Sequence, residues 1–469
     1  MADIEINVFE VQLGAAILLQ MKDSRGRTVN VLADGGINAA KYSQDHVAIK
    51  LGTLLPSQRI DVLIGTHYDQ DHLAGLIDAA DQFPITEAIL PPIRKPRYPK
   101  SRNGVNALWE LGNSEDASDL PLLIELNDGQ FEEHIAELEE LSFFAGELLR
   151  DVELIDPKPP NLETEVLGSQ GEFDSEDLTL PLSSDLLASS FVQLYRIRGS
   201  AQKGAIVAKW LQKLVRKLQG NKRLQSTGVP IRTLDITAGK PEYFEWNPAT
   251  QTFYSCSSST YTTSIEPKFT LLGPSKTLIA HHAKKLPIGT YFALIGQIPL
   301  KPVTASNQLS YVMLFESVGQ KILITGDAGF VDFWDKKAGT YYSQMLTATQ
   351  DLQIIQVAHH AGNNHRFYDV LLKSGYSNSN PSPSFLLISH ADHDTFRPSP
   401  AFGIFLSTLR ANRRAFELLT TSQPDPGKVI NYRGSYHPAT QSPSAPVGDI
   451  RLSFQQGKGW SVDKHLVQT

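Results

Sequence analysis

Asp61-Val62-Leu63-Ile64-Gly65-Thr66-His67-Tyr68-Asp69-Gln70-Asp71-His72-Leu73-Ala74-Gly75-Leu76-Ile77-Asp78-Ala79-Ala80 reads as a short apolar strand, a polar turn and a helix. Four groups that can ligate a metal fall within six residues of that turn. Alternate residues His67, Asp69 and Asp71 can point the same way, and His72 adds a fourth group where the helix begins. Imidazole and carboxylate are the ligands that zinc, manganese and iron accept without thiols. The ordinary alternative is a surface turn with a capping aspartate. Two histidines and two aspartates directly after a buried strand favour a metal pocket instead.

The same arrangement, polar groups immediately after an apolar run, recurs further along the chain. Ile322-Leu323-Ile324-Thr325-Gly326-Asp327 ends on a carboxylate that must be solvated, paired or metal-bound. Alone, an aspartate after glycine is a common turn residue; beside the first cluster, Asp327 is expected to bridge two metals. Val357-Ala358-His359-His360-Ala361-Gly362 supplies a histidine pair, of which one is expected to ligate and the other to pack, cap or support it. Ile388-Ser389-His390-Ala391-Asp392-His393-Asp394 places His390 and His393 where either can protonate a leaving group or lie in a solvated loop. His281-His282 follows weaker strand signals. In layered α/β proteins, loops at strand ends converge on one edge, where sites are built.

Outward from these clusters, Ile4 to Val11, Gly14 to Met21 and Thr28 to Leu32 read as strands, followed by the tight turn Asp34-Gly35-Gly36. Glu87 to Leu90 is a further strand. Residues 93–227 differ in composition and are expected to be an insertion in a core formed by 1–92 and 228–469. The insertion opens with a basic stretch (Arg94, Lys95, Arg97), becomes acidic from Glu115 to Asp177, and closes with a basic amphipathic helix carrying Lys209, Lys213 and Lys217 among Trp210, Leu214 and Leu218. β-type sequence resumes near Ile231 and includes Phe269 to Leu272, Ser310 to Glu316, Lys321 to Thr325, Leu352 to Val357 and Phe385 to Ile388.

Length and composition fit this organisation. The 469 residues are 41% hydrophobic and 9% aromatic, enough for a large buried core. A net charge of −7 argues against a general nucleic-acid coat but leaves room for a local basic groove. The single cysteine, Cys256, excludes an internal disulfide and a cysteine-rich zinc site, so a metal must be held by histidine and carboxylate. No apolar run approaches the about 18–20 residues needed to span a bilayer. No membrane association is expected, and a cytoplasmic location is.

With these clusters in this order, the chain resembles the metallo-β-lactamase-fold superfamily, and within it the hydrolase domain of bacterial competence (DNA-uptake) proteins. The resemblance is carried by Val11 to Leu18, Asp34-Gly35-Gly36, His67 to His72, Asn307 to Ser310, Thr325-Gly326-Asp327 and His359-His360. It covers roughly 1–92 and 228–469. It implies an α/β fold of four layers, an αββα sandwich with a large, partly helical insertion. It also implies one or two divalent ions, zinc or manganese, held by His67, Asp69, Asp71, His72, Asp327 and His359 or His360. Two departures stand out: Asp69 takes the place of the superfamily's common histidine, and Asn307 stands near the place of its third-motif histidine. The first metal pocket is thereby richer in oxygen, and the second, from Asp71, His72, Asp327 and one of His359 and His360, is more complete.

The activity so implied is hydrolysis by hydroxide generated on a divalent ion, since such an ion lowers the pKa of water from about 15.7 to about 7. Asp71 would orient the water, and His390 or His393 would protonate the leaving group. A phosphodiesterase or nuclease acting on nucleic acid or nucleotides is the first expectation, with Arg94, Lys95, Arg97, Lys209, Lys213 and Lys217 as phosphate contacts or, equally, as a solvated basic face. A metal-bearing but inactive module of a multi-protein complex, with a protein partner on 93–227, is a second reading. A hydrolase of esters, thioesters or lactones is a third, and Asp69 counts against it.

Overall fold

The computed structural model describes residues 2–11, 14–37, 47–55, 59–92, 209–256, 266–282, 305–378, 384–389, 397–422 and 448–464. Within them the chain is a mixed α/β protein built on two eight-stranded sheets. The first sheet takes β1 (Ile4–Val8), β2 (Ile17–Lys22), β3 (Thr28–Ala33), β4 (Ile60–Ile64), β5 (Ile85–Ile89) and β6 (Ile231–Arg232). The second takes β7 (Glu242–Asn247), β8 (Thr252–Cys256), β9 (Lys268–Gly273), β10 (Val312–Ser317), β11 (Gln320–Ile324), β14 (Ile354–Gln356), β15 (Ser384–Ile388) and β16 (Phe416–Thr420). Between these last groups β12 (Trp334–Asp335) and β13 (Thr340–Tyr341) form a small hairpin. A terminal hairpin, β17 (Ile450–Gln455) and β18 (Gly459–Lys464), returns to the first sheet.

The spatial order is β18-β17-β1-β2-β3-β4-β5-β6 in one sheet and β16-β15-β14-β11-β10-β9-β7-β8 in the other. Each sheet is antiparallel over one part and parallel over the rest. β3 to β6 run parallel, as do β11, β14, β15 and β16. Parallel neighbours require crossover connections, which helices supply. α1 (Val47–Leu54) and α2 (Gln70–Gln82) connect β3, β4 and β5; α3 (Lys209–Gly220) precedes β6. On the second sheet, α4 (Lys276–His281), α5 (Ala305–Gln308), α6 (Ser343–Ala348), α7 (His365–Lys373) and α8 (Pro400–Ala411) lie between strands.

Strand periodicity sorts the side chains between two apolar clusters. Along β2, Ile17, Leu19 and Met21 belong to the cluster that also holds Phe269, Leu271, Phe315 and Ile322 of the second sheet. The alternate residues Ala16 and Leu18 face a different cluster, with Leu51 of α1, Leu73 and Leu76 of α2 and Leu211, Leu214 and Leu218 of α3. β2 and β4 are buried on both faces and are accordingly apolar apart from Gln20, Lys22 and Asp61. α3, the basic helix that composition placed with the insertion, packs its apolar face into this cluster against α2. Lys217 pairs with Asp81 at 2.8 Å, and Asn221 donates to the Ala80 and Phe83 carbonyls at 2.8 Å each. Among the described residues no helix is long and apolar enough to cross a membrane.

The terminal hairpin fastens the sheet near its antiparallel edge. β17 lies between β1 and β18, with Ile4 opposite Phe454 and Ile6 opposite Leu452, while Trp460 packs on Phe454. Leu452 is fully buried at this seam. Leu452→Ala is therefore expected to lower the unfolding free energy by about 2–5 kcal/mol, measured by denaturant titration. A loss below about 1 kcal/mol would mean that the hairpin is only loosely attached.

Candidate metal centre

The candidate ligands sit just beyond the carboxyl ends of parallel strands in both sheets or at the start of the following helix. Asp34 follows β3, and His67 and Asp69 follow β4. Asp71 and His72 lie in the first turn of α2, Asp327 follows β11, and His359 and His360 follow β14. Asp69 occupies the N-cap of α2, but its carboxylate accepts no capping hydrogen bond. Its Oδ2 lies instead 3.5 Å from His67 Nε2, so the capping explanation for this aspartate does not hold.

Asp327 stands at the centre. Its Oδ1 is 3.5 Å from His72 Nε2 and 3.4 Å from His360 Nε2, while its Oδ2 is 3.9 Å from both His67 Nε2 and His359 Nε2. Asp71 Oδ2 closes one side, 3.8 Å from His72 Nε2 and 3.7 Å from His360 Nε2. Donors about 2.0–2.2 Å from a zinc ion at tetrahedral corners lie roughly 3.3–3.6 Å apart. The histidine–carboxylate separations among Asp71, His72, Asp327 and His360, 3.4–3.8 Å, come within a few tenths of an ångström of that spacing. Three overlapping groups, His67/His72/Asp327, Asp71/His72/His360 and His67/Asp69/Asp71, can each hold a metal ion. Both members of the histidine pair turn Nε2 toward Asp327, on opposite oxygens, His360 at 3.4 Å and His359 at 3.9 Å.

A second observation supports the fit. His67 Nε2, His72 Nε2, His360 Nε2 and Asp327 Oδ1 are all buried and make no hydrogen bond. Leaving a buried polar atom unsatisfied costs about 1–3 kcal/mol, so four directed at one small space call for a shared partner. The opposite ring nitrogens are anchored. His72 Nδ1 lies 2.7 Å from Asp34 Oδ2, and His360 Nδ1 lies 2.6 Å from the Ser389 carbonyl. An acceptor on Nδ1 puts a proton there and leaves the Nε2 lone pair for a cation. His67 Nδ1 meets Thr66 Oγ1 at 3.1 Å, and that hydroxyl donates to Asp34 at 2.7 Å.

Asp34 was not among the residues singled out for chemistry, although Asp34-Gly35-Gly36 was visible as a turn. Its two oxygens accept from the Thr66 backbone N–H (2.8 Å) and hydroxyl and also meet His72, so one carboxylate orients two histidine-bearing segments. Gly35 is needed beside it because a Cβ there would fall 2.3 Å from the Leu76 nitrogen. On the second sheet, Gln356 Oε1 accepts from the Thr325 and Gly326 N–H groups at 2.9 and 3.1 Å and holds the Thr-Gly-Asp turn. His359, His360 and Ala361 have φ of 55°, 51° and 63°, a left-handed run of three non-glycine residues. Such conformations cost of order 1–3 kcal/mol each and concentrate at functional sites.

No protein-family model matches this chain, and no curated protein matches it.

The electrostatics follow from burial and crowding. Burial works against the Asp327 carboxylate, yet His360, His359 and His72 outweigh it and hold its pKa well below the usual carboxylate value. Burial pushes the Asp71 carboxyl up, opposed by His72 and reinforced by Asp327 and Asp69. His72 is raised well above the ordinary histidine value: burial disfavours its charge, but Asp34, Asp71 and Asp327 more than compensate. His360 is held well below, by burial first and by the Arg397 charge in addition, against the pull of Asp327.

Of the other expected site residues, His390, His393, Arg94, Lys95 and Arg97 lie outside the described residues, as does the Lys209 side chain. Lys213 lies over the Trp210 ring at 5.0 Å and Lys217 faces Asp81, so their described contacts are on α3 and α2. His282 is buried with Nε2 2.9 Å from Gln308 Oε1.

Two expectations follow. Asp34→Ala should weaken metal binding by about 10–100-fold, the usual effect of removing a carboxylate behind a ligating histidine, as measured by competition with a chromophoric chelator. Unchanged affinity would remove Asp34 from the centre. Because a cation must displace the proton that the carboxylates hold on His72, metal binding should release protons. Affinity should fall as pH drops below the raised His72 value, and a pH-independent affinity would contradict this arrangement.

Proposed function

We propose that this chain is a metal-dependent hydrolase of the metallo-β-lactamase type, a phosphodiesterase or nuclease working on nucleic acid or nucleotides. The observation that carries the reading is the Asp327 carboxylate, with one oxygen toward His72 and His360 and the other toward His67 and His359. A carboxylate so placed suits the bridge between two adjacent cations, and paired cations suit phosphodiester cleavage. Two sheets sharing an apolar cluster, with α1, α2 and α3 packed on the far face of the first, support the four-layer αββα arrangement.

The donors fit zinc or manganese. Asp71, His72, Asp327 and His360 would hold one ion; His67, Asp69, Asp327 and His359 would hold another, in a harder pocket suited to manganese. When bound, divalent ions supply Lewis acidity and a water of lowered pKa. The chain's own part is to orient and to move protons. The Asp71 carboxylate, a ligand through Oδ2, is suited to orient the attacking water. Asp34 and Ser389 fix the rings of His72 and His360. In this reading His390 or His393 delivers the proton to the leaving oxygen.

Elemental analysis and turnover of bis-p-nitrophenyl phosphate test the proposal together. Wild type with Mn²⁺ or Zn²⁺ should hydrolyse the diester, and Asp71→Ala and Asp327→Ala should each lose bound metal and more than about 10²-fold in turnover. Wild type that binds metal but cleaves neither this diester nor nucleic acid, with Asp71→Ala keeping its biological activity, would favour a metal-bearing module of a larger complex. Metal content unchanged in both variants would overturn the site itself.

A further inference from the structure

Two loops of the second sheet carry the Asp327 carboxylate and the His359–His360 pair, and the strand ladder reaches neither of them. The pairing of β11 with β14 ends at Leu323 opposite Ile355, four residues before Asp327 and four before His359. Hydrogen bonds in the loops must set the rest. On the amino side of Asp327, Gln356 and the His359 backbone N–H hold Thr325 and Gly326. On its carboxyl side, the Ala328 carbonyl accepts from Asn364 Nδ2 at 2.7 Å. Asn364 is 2% exposed. Its backbone N–H donates to the Gly362 carbonyl at 2.8 Å, at the end of the left-handed turn that bears His359 and His360. The Ser399 and Tyr368 hydroxyls donate to the same carbonyl at 2.9 and 3.1 Å. Asn364 Oδ1 caps α7 by accepting from the Phe367 N–H at 3.3 Å, and Phe367 is fully buried against Phe330.

We propose that Asn364 is a positioning residue of the metal centre, holding the histidine turn by its backbone and the Asp327 turn by its side chain, and so fixing the gap that a cation must fit. The inference rests on the metal-centre part of the hydrolase reading and adds the residue that ties the two second-sheet loops together. Donor spacing around a small cation tolerates only a few tenths of an ångström, and His360 and His359 stand 3.4 and 3.9 Å from Asp327. A shift of the Ala328 carbonyl shifts Asp327, its neighbour in the chain. The bond that prevents it is buried, where a hydrogen bond is strong and where a carbonyl that loses its donor goes unsatisfied. The described bonds of Asn364 go to backbone groups, so it acts through Asp327 and the histidine pair rather than on a cation or substrate. Its capping bond to the first turn of α7 keeps the amide from rotating away from Ala328.

The test uses the full chain titrated with Co²⁺, with affinity read by competition with a chromophoric chelator and ligand geometry by the visible d–d bands. Asn364→Ser keeps a cap for α7, since serine serves at that position as well as asparagine, but is too short to reach Ala328. It should weaken Co²⁺ binding by about 10-fold or more and alter the bands. Leu452→Ala, which removes stability in the terminal hairpin without touching these loops, should leave affinity and bands as in wild type. Co²⁺ affinity in Asn364→Ser within about twofold of wild type, or bands unchanged, would overturn the inference and leave the hydrolase reading intact. An equal loss in Leu452→Ala would trace the effect to stability and overturn it as well. So would an Asn364→Ser chain without near-ultraviolet circular dichroism, which would make Asn364 part of the scaffold. Cation binding that depends on Asn364, in a protein that hydrolyses no phosphodiester, would keep the inference and remove the hydrolase reading. A wild type that binds no Co²⁺ would overturn both.

Discussion

The centre depends on one carboxylate being placed among histidines that come from different sheets. His67 and His72 belong to the segment after β4 of the first sheet, and His359 and His360 to the turn after β14 of the second. Asp327 is within 3.9 Å of a ring nitrogen on all four. Neither sheet has the site alone. The apolar cluster shared by the sheets therefore has a chemical role as well as a stabilising one, because it sets the distance between the two sets of donors. In a close-packed interior such a distance changes only in discrete steps, which gives the ligands fixed relative positions before any cation arrives.

The loops bearing those donors are held by backbone devices rather than by loop composition. The three consecutive left-handed residues from His359 to Ala361 would not persist in a free chain. Here the His359 N–H donates to the Gly326 carbonyl, the Gly362 N–H to the His359 carbonyl, and the Ala361 carbonyl accepts from Ser399. Gly326, with φ of 50°, passes so close to Thr66 that a Cβ would lie 2.4 Å from its hydroxyl. The backbone of the Thr-Gly-Asp turn in one sheet is thus in contact with the Thr66 side chain of the Thr-His turn in the other. Strain accepted in one loop is stabilised by bonds from its neighbours.

Much of this was legible in the sequence, for a definite physical reason. Strand ends followed by histidine and aspartate were visible because buried strands are apolar and ligands are not; His67 to His72, Asp327 and His359-His360 all stood out in that way. The role of Asp34 did not, because an aspartate before two glycines looks like any tight turn and its target, His72, is distant in sequence. Nor did the sequence tell His359 from His360, or reveal that the turn carrying both has positive φ angles at residues that are not glycine, which residue type does not encode. The hairpin of β17 and β18 was passed over as well. The alternation of Ile450, Leu452 and Phe454 and the turn Gln456-Gly457-Lys458-Gly459 carry its signal, but short strands of mixed polarity are weak against a polar background. The amphipathic pattern of α3 was clear, whereas its partner, the outer face of the first sheet, was not.

The pairing of β17 with β1 has a consequence for how this molecule is made. β1 leaves the ribosome more than four hundred residues before its neighbour on one side, β17. Until β17 is made, one row of its backbone amides and carbonyls is left without a strand to bond to. Contacts so remote in sequence delay closure, and an open strand edge is a template for pairing with another chain. A nascent chain halted before residue 450 would leave that edge exposed on an otherwise folded sheet. The vulnerable interval in this protein's biogenesis therefore lasts until β17 has been made.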